Sequence, residues 1–572
     1  MPRLFLWLSL LVVVLAGPAR AQSGDWKEQM AAIPVQSGGR VMPLDTYARH
    51  LAVQLTGRSK WAADRGPEGY AGREPIELLC ELWFRPQQFM SGAFIDIENR
   101  PFKKAVGLPE EPRFFTPMQV VNAPGINGVL QGFMQRRKTD SKAQPKGNEK
   151  IALELSGALD RVSTFAGGAQ LPIVPPVSGH VYLNAGPAGG DPGTEDVQQA
   201  LAAVRAAFVS GQAMEGPVAS LVDAVHRAGV VGAKDMRSVN LETFYNRHRP
   251  WRMSAYAYGL SIVVFGLSRL VLRKPLLMLA ITLGVIGAGE QVLGTALRTM
   301  ILQRAPVSNT YEALLWMGLV AVAIGLIAQL LNRKAWYLFA GVCAAFASVL
   351  FAGLVPLESQ TNALPAVLRS NYWLIVHVLT ITASYGVLLV ASVLGHAYLF
   401  KHIILGKTAD AGEGGPWASH PLIVQTYRTI QVGLFLLTAG TILGGVWAAD
   451  SWGRFWGWDP KETWALISIV IYFAILHARH IRWLRDFGMA MWAVLGFIAI
   501  VWTFYGVNYV MATGLHSYGF GSGGEVWVGL WAIAEIAFLV AARLRFVQLR
   551  KAGRLPDERS MKLRATTKPA RA

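Results

Sequence analysis

The chain has 572 residues, of which 52% are hydrophobic and only 16% charged, where a soluble protein carries about a quarter charged residues. Its formal net charge of +18 raises the possibility of a nucleic-acid partner. However, the basic residues sit in short clusters between apolar runs: Arg273-Lys274, Arg333-Lys334, Lys401 to Lys407, Arg479 to Arg485 and Arg543 to Arg554. That placement is what membrane orientation demands. It argues against nucleic acid and leaves anionic lipid headgroups as the partner of the positive charge. The two cysteines, Cys80 and Cys343, form no Cys-x-x-Cys, so the chain is not a thiol–disulfide relay, and no internal disulfide is expected.

Residues 1–21 read as a signal peptide: Arg3, an apolar run from Leu4 to Ala16, then Ala19-Arg20-Ala21 as a small-residue cleavage site. Residues 22–250 then form an exported soluble domain. Apolar spacing near the helical period predicts helices over Leu44–Leu55 and Val197–Phe208, with Gly-Gly, Pro-Pro and Gly-Pro breaks elsewhere. The domain is therefore expected to be mainly helical with long loops. His50, His180, His226 and His248 are isolated within it and read as surface or packing residues.

Residues 251–550 carry nine apolar segments, at 254–272, 276–302, 311–331, 335–355, 371–400, 428–447, 463–483, 488–512 and 526–546. Most approach the length of about 20 residues that spans a bilayer. The fold class expected is thus an all-α polytopic membrane protein with about nine transmembrane helices and a mainly helical exported N-terminal domain. With that domain outside, nine spans place every basic cluster, and the basic tail 551–572, on the cytoplasmic side of the plasma membrane. Glu290 and Gln291 make the second span a candidate for tilting.

The connection between the sixth and seventh segments, Val446 to Trp464, holds Trp447, Trp452, Phe455, Trp456, Trp458 and Trp464. Tryptophan favours the membrane interface, and an aromatic belt is the plain reading. A belt, however, needs no interspersed Gly453, Asp459, Lys461 or Glu462. So dense an aromatic shelf suits a large flat ligand such as haem, whose propionates Arg454 or Lys461 would neutralise. Iron takes neutral imidazole as an axial ligand, and two histidines share the expected outer depth: His377, in the first turns of the fifth span, and His516, just past the eighth. His477 lies in the inner half of the seventh span, where an ionisable residue is a functional candidate. His396, His402, His420 and His480 read as solvated residues at the inner boundary. Glu290 and Glu535 are intramembrane acids that suggest no role.

The stretch Trp452-Gly453-Arg454-Phe455-Trp456-Gly457-Trp458-Asp459-Pro460-Lys461-Glu462-Thr463-Trp464 resembles the WWD motif of haem-handling proteins, and its ending resembles the CcsA (ResC) branch of system II cytochrome c biogenesis. Ser308 to Glu312, Trp373 to Val378, Leu476 to Arg479 and Gly506 to Gly519 are similar to further motifs of that family, in the same order, over about 240 residues from Pro306 to Arg545. The stretch Ile33 to Thr46 is similar to one in front of the CcsA part of fused CcsB-CcsA proteins.

The resemblance implies haem b as substrate and ligand, with His377 and His516 as the axial pair of an outer haem. His477 corresponds to the family's intramembrane histidine, and Trp447, Trp452, Trp456, Trp458, Asp459 and Trp464 belong to the haem-binding loop. It also implies an apocytochrome c, whose Cys-x-x-Cys-His accepts the haem, and a separate CcsB (ResB) membrane partner. The chain would then be a subunit of a cytochrome c haem lyase. A chaperone or lyase subunit resembling CcmC or CcmF, and a membrane b-type cytochrome, are the alternatives.

Overall fold

The computed structural model describes residues 25–57, 67–97, 99–139, 145, 147–187, 189–354, 372–406, 420–511 and 525–554. The expected signal peptide, His516, and the tail beyond Arg554 lie outside them. The chain divides into two compact units, Met1–His248 and Arg249–Ala572. Both cysteines are free thiols.

The first unit is mainly helical. Its helices at Leu44–Thr56 and Glu195–Ser210 contain the two expected from periodicity. They pack into one apolar core that includes Leu51, Phe84, Phe102 and Leu201. Among the described residues, three small antiparallel sheets accompany the helices. The conspicuous stretch Ile33 to Thr46 is a hairpin leading into a helix: Pro34–Ser37 pairs with Arg40–Pro43. Gly38 and Gly39 take φ of 58° and 80° at the turn, the backbone that two-residue hairpin loops require. Arg40 then makes a bidentate contact with the buried Glu242, at 2.6 and 2.8 Å. Asn246 donates to Asp45 and Thr46. The stretch therefore pins the helix Ala233–His248 to the core.

The nine described helices of the second unit are numbered α1 to α9: Pro250–Leu267, Arg273–Leu302, Thr310–Asn332, Ala335–Leu354, Tyr372–Tyr398, Pro421–Trp452, Pro460–His480, Asp486–Val501 and Glu525–Lys551. Eight of them, α2 to α9, are long and apolar enough to cross a membrane. The exception is α1, the first of the nine expected spans. It has 18 residues, about 27 Å of helix, and carries Arg252, two tyrosines and two serines. Its polar groups turn onto α2: Ser254 donates to Gly287, Ser261 to Ala280 and Tyr258 to the buried Gln291. Gln291 in turn donates to the Leu315 carbonyl of α3, so both the oxygen and the nitrogen of this intramembrane amide are engaged.

Between α2 and α3 the segment Ser308 to Glu312 forms a clamp. Asn309 caps α3 by accepting from the Glu312 N–H. The Glu312 carboxylate, 1% exposed, takes the Arg298 Nε–H at 2.6 Å and the Ser308 N–H and hydroxyl. Both ends of the bundle depart from α geometry. α5 continues as a π-helix over Leu399–Ile404, and α8 over Trp502–Met511.

Candidate functional site

α6 and α7 frame the tryptophan-rich connection. The sequence suggests a loop from Val446 to Trp464, but α6 runs on to Trp452 and α7 begins at Pro460. Nothing in Val446–Trp452 breaks a helix. The stop comes at Gly453, whose φ of 70° forms the left-handed C-cap. Only Gly453 to Asp459 is non-helical. Asp459 closes that turn as the N-cap of α7, its carboxylate accepting from the Lys461 N–H at 2.8 Å. Glu462 reaches back to accept from the N–H groups of Gly457 and Asp459. This reciprocal capping box, with Pro460 in the first turn, fixes the loop against the helix it starts.

Along the end of α6 and the turn the aromatic side chains take distinct stations. Trp447 is buried, 1% exposed, and meets Trp452 edge-on at 4.6 Å between ring centroids. Trp456 and Trp458 meet edge-on at 5.9 Å. Trp458 is 70% exposed and has φ of 56°, an uncommon backbone for a bulky residue. The Arg454 guanidinium folds across Gly457, where a β-carbon would overlap it. It lies over the Trp452 ring and 3.8 Å from Glu462. Arg454 is thus partly engaged within the loop.

His377, on α5, faces α6. Its Nδ1 lies 2.6 Å from the Gly440 carbonyl oxygen. A β-carbon at Gly444 would stand 2.6 Å from Cε1 of the imidazole. One residue on, a β-carbon at Gly445 would stand 2.6 Å from the Phe455 ring. Adjacent glycines of α6 thus seat the histidine and the aromatic loop as neighbours. Gly440 also admits the backbone of Ile381, so the two helices approach closely, as small residues allow in membranes. The carbonyl can only accept, so Nδ1 carries the ring proton and Nε2 the lone pair.

At the opposite ends of these helices, His477 and His480 are exposed on α7. His396, His402 and His420 depart from the solvated positions expected of them. His396 contacts Glu535 of α9 at 2.8 Å, which gives that acid a partner. His402 is 5% exposed, and its ring lies 4.5 Å from that of His420. His420 itself caps α6, its Nδ1 accepting from the Leu422 N–H. His402 is buried and His396 and His420 are partly buried, because packing between helices covers them, a depth that segment hydropathy does not resolve. The described residues contain no group of three or more metal-ligating side chains.

Sequence reasoning missed Gly444, Gly445 and Trp502. The ring of Trp502 meets Trp464 edge-on at 5.7 Å. The signal for the glycines was the run Gly440, Gly444 and Gly445 on a helix facing a histidine-bearing neighbour. Trp502 had none, because it lies 38 residues beyond Trp464.

A family model described as cytochrome C assembly protein matches residues 307–516. The chain is 28% identical over 502 residues to Protein NrfI of Wolinella succinogenes, covering 84% of this chain and 53% of that protein. It is 38% identical over 245 residues to cytochrome c biogenesis protein CcsA of Synechococcus sp. strain CC9902, covering 37% of this chain and 78% of that protein. For CcsA of Synechococcus elongatus the figures are 35% over 259 residues, 37% and 79%. The chain thus spans about half the length of NrfI and about three quarters of the CcsA proteins.

Proposed function

The chain belongs to the CcsA family of cytochrome c biogenesis proteins, and we propose that it holds haem b at the tryptophan-rich end of its helical bundle for attachment to an apocytochrome c. The observation that carries this reading is the seating of His377. Its Nδ1–H donates to the Gly440 carbonyl, and its ring is seated against Gly444, one residue along α6 from the glycine that seats Phe455 of the aromatic loop. His516 is the proposed second axial ligand. The aromatic residues of the loop supply a flat apolar surface, and Asp459 keeps that surface in place as a cap.

In the reaction proposed, each cysteine thiol of the apocytochrome adds across a haem vinyl group. A carbon–sulfur bond forms, the thiol proton goes to the other vinyl carbon, and no oxidant is consumed. The chain contributes positioning, which by itself supplies much of such an acceleration. The haem-bearing end faces the extracytoplasmic side of the plasma membrane, a reading supported by the basic clusters at the other ends of the helices. His477, exposed on α7, needs a covering group within a membrane. A CcsB-like membrane protein is the proposed partner on that face.

The test is to purify the full chain with His377→Gly and record the reduced haem spectrum with and without imidazole. Loss of haem that imidazole restores supports the ligand assignment, and wild-type haem content in the variant overturns it.

A further inference from the structure

We propose that Trp502, on the π-helical end of α8, is a haem-contacting residue whose indole N–H donates a hydrogen bond to a haem propionate. The inference rests on the haem-holding function proposed above and deepens it.

Four observations converge on this side chain. The Trp502 ring meets Trp464 edge-on, at 5.7 Å and 60°, so it continues the aromatic surface of the tryptophan-rich segment onto a different helix. It lies flat over Gly506, where a β-carbon would stand 2.6 Å from ring atoms. The next residue locks the level of contact: Thr503 Oγ1 lies 3.1 Å from the Trp464 carbonyl oxygen and 2.9 Å from Ser468 Oγ. Finally, the Trp502 Nε1 is buried with no acceptor among the described residues.

A buried indole N–H without an acceptor is costly and calls for an explanation. Indole nitrogen only donates, so the missing partner is an acceptor. On the rim of haem, the strong acceptors are the two propionate carboxylates, and a hydrogen bond to a carboxylate is among the stronger kinds. The ten-residue π-helix that carries Trp502 is a rare backbone that recurs at functional sites.

The experiment compares haem with haem dimethyl ester, which has the same ring but no carboxylates, for binding to detergent-purified wild type, Trp502→Phe, Trp502→Ala and His377→Gly. Trp502→Phe keeps an aromatic ring and removes only the donor. Expected is weaker haem binding by Trp502→Phe, by about tenfold or more, with a smaller penalty for the ester than wild type shows. Trp502→Ala loses more, for want of the ring. Wild-type haem affinity and an unchanged ester penalty in Trp502→Phe overturn the inference. If His377→Gly loses haem in that same experiment, the broader reading stands without Trp502. If it too keeps full haem, both fall.

Discussion

The Nδ1 atom of His377 lies 2.6 Å from the carbonyl oxygen of Gly440, across the contact between α5 and α6. In a regular helix that carbonyl accepts from the N–H of residue 444, and it has a second lone pair for the imidazole. Residue 444 is glycine, and a side chain there would meet the ring. One turn of α6 therefore both orients the histidine and makes room for it.

Gly444→Ala is accordingly expected to act like a ligand mutation without touching the ligand. The added methyl group must push the imidazole from its seat, because the far side of the contact is the backbone of α6. Haem per protein should fall several-fold in membranes matched for expression, with partial recovery on adding imidazole. Gly529→Ala, where a β-carbon meets nothing within 4 Å, serves as the neutral control. Equal haem in the two variants would remove the seat from the mechanism.

Asp459 offers a cleaner separation of charge from geometry. As the N-cap of α7, its role is served nearly as well by asparagine, whereas alanine loses about 1 kcal/mol. Asp459→Asn should retain wild-type haem, and Asp459→Ala should lose part of it through a loosened turn. If asparagine is as damaging as alanine, the carboxylate acts by its charge.

The membrane architecture was legible in the sequence because hydropathy over about 20 residues has few competing explanations. α1, expected as the first span, is the one that falls short, because Arg252, its serines and its tyrosines lower its hydropathy even though Ser254, Tyr258 and Ser261 bond to α2. The loop motif was legible as chemistry but not as shape. Helix α6 continues through Trp452 because termination needs a residue like Gly453, and aromatic density says nothing about φ. His402 shows the opposite failure. Its place at the inner boundary suggests solvent, yet packing against Tyr398 and His420 buries it. Trp502 and Trp464 meet through tertiary packing between helices, which no local pattern encodes.

At the other end of α6, burial holds the His420 imidazole down at about 4, helped by nearby His402, Lys401 and Lys334 and opposed by Asp486. The ordinary value is about 6.5, so between these values the unfolded chain binds more protons than the folded one. Stability should then fall as pH drops below about 6.5 and level off near 4, with no contribution above. Thermal unfolding in detergent across that window should show the slope, and His420→Asn, which can still cap α6, should flatten it. An unchanged slope would assign the effect to other groups.

Orientation is open to direct test. The alternation of basic clusters with helices predicts that reporter fusions after Lys407 and Arg554 behave as cytoplasmic, and one after Ser522 as exported. A single reversal would place His377 and the aromatic loop on the wrong side for an exported apocytochrome.

The tryptophans of the connecting segment should not behave alike, because they occupy different environments. Trp447 is buried, and Trp447→Ala should cost about 3–5 kcal/mol of stability, read as poor accumulation in the membrane. Trp458 is 70% exposed, so Trp458→Ala should leave folding within about 0.5 kcal/mol of wild type. If the loop is a haem shelf, that same substitution removes stacking area and should lower haem occupancy several-fold, with Trp458→Phe intermediate. An interfacial belt predicts a different pattern: Trp458→Phe nearly silent, and alanine affecting insertion more than haem. Haem per protein and protein per membrane, measured on the same samples, separate the two. Full haem in a well-inserted Trp458→Ala would leave this exposed ring to the membrane interface.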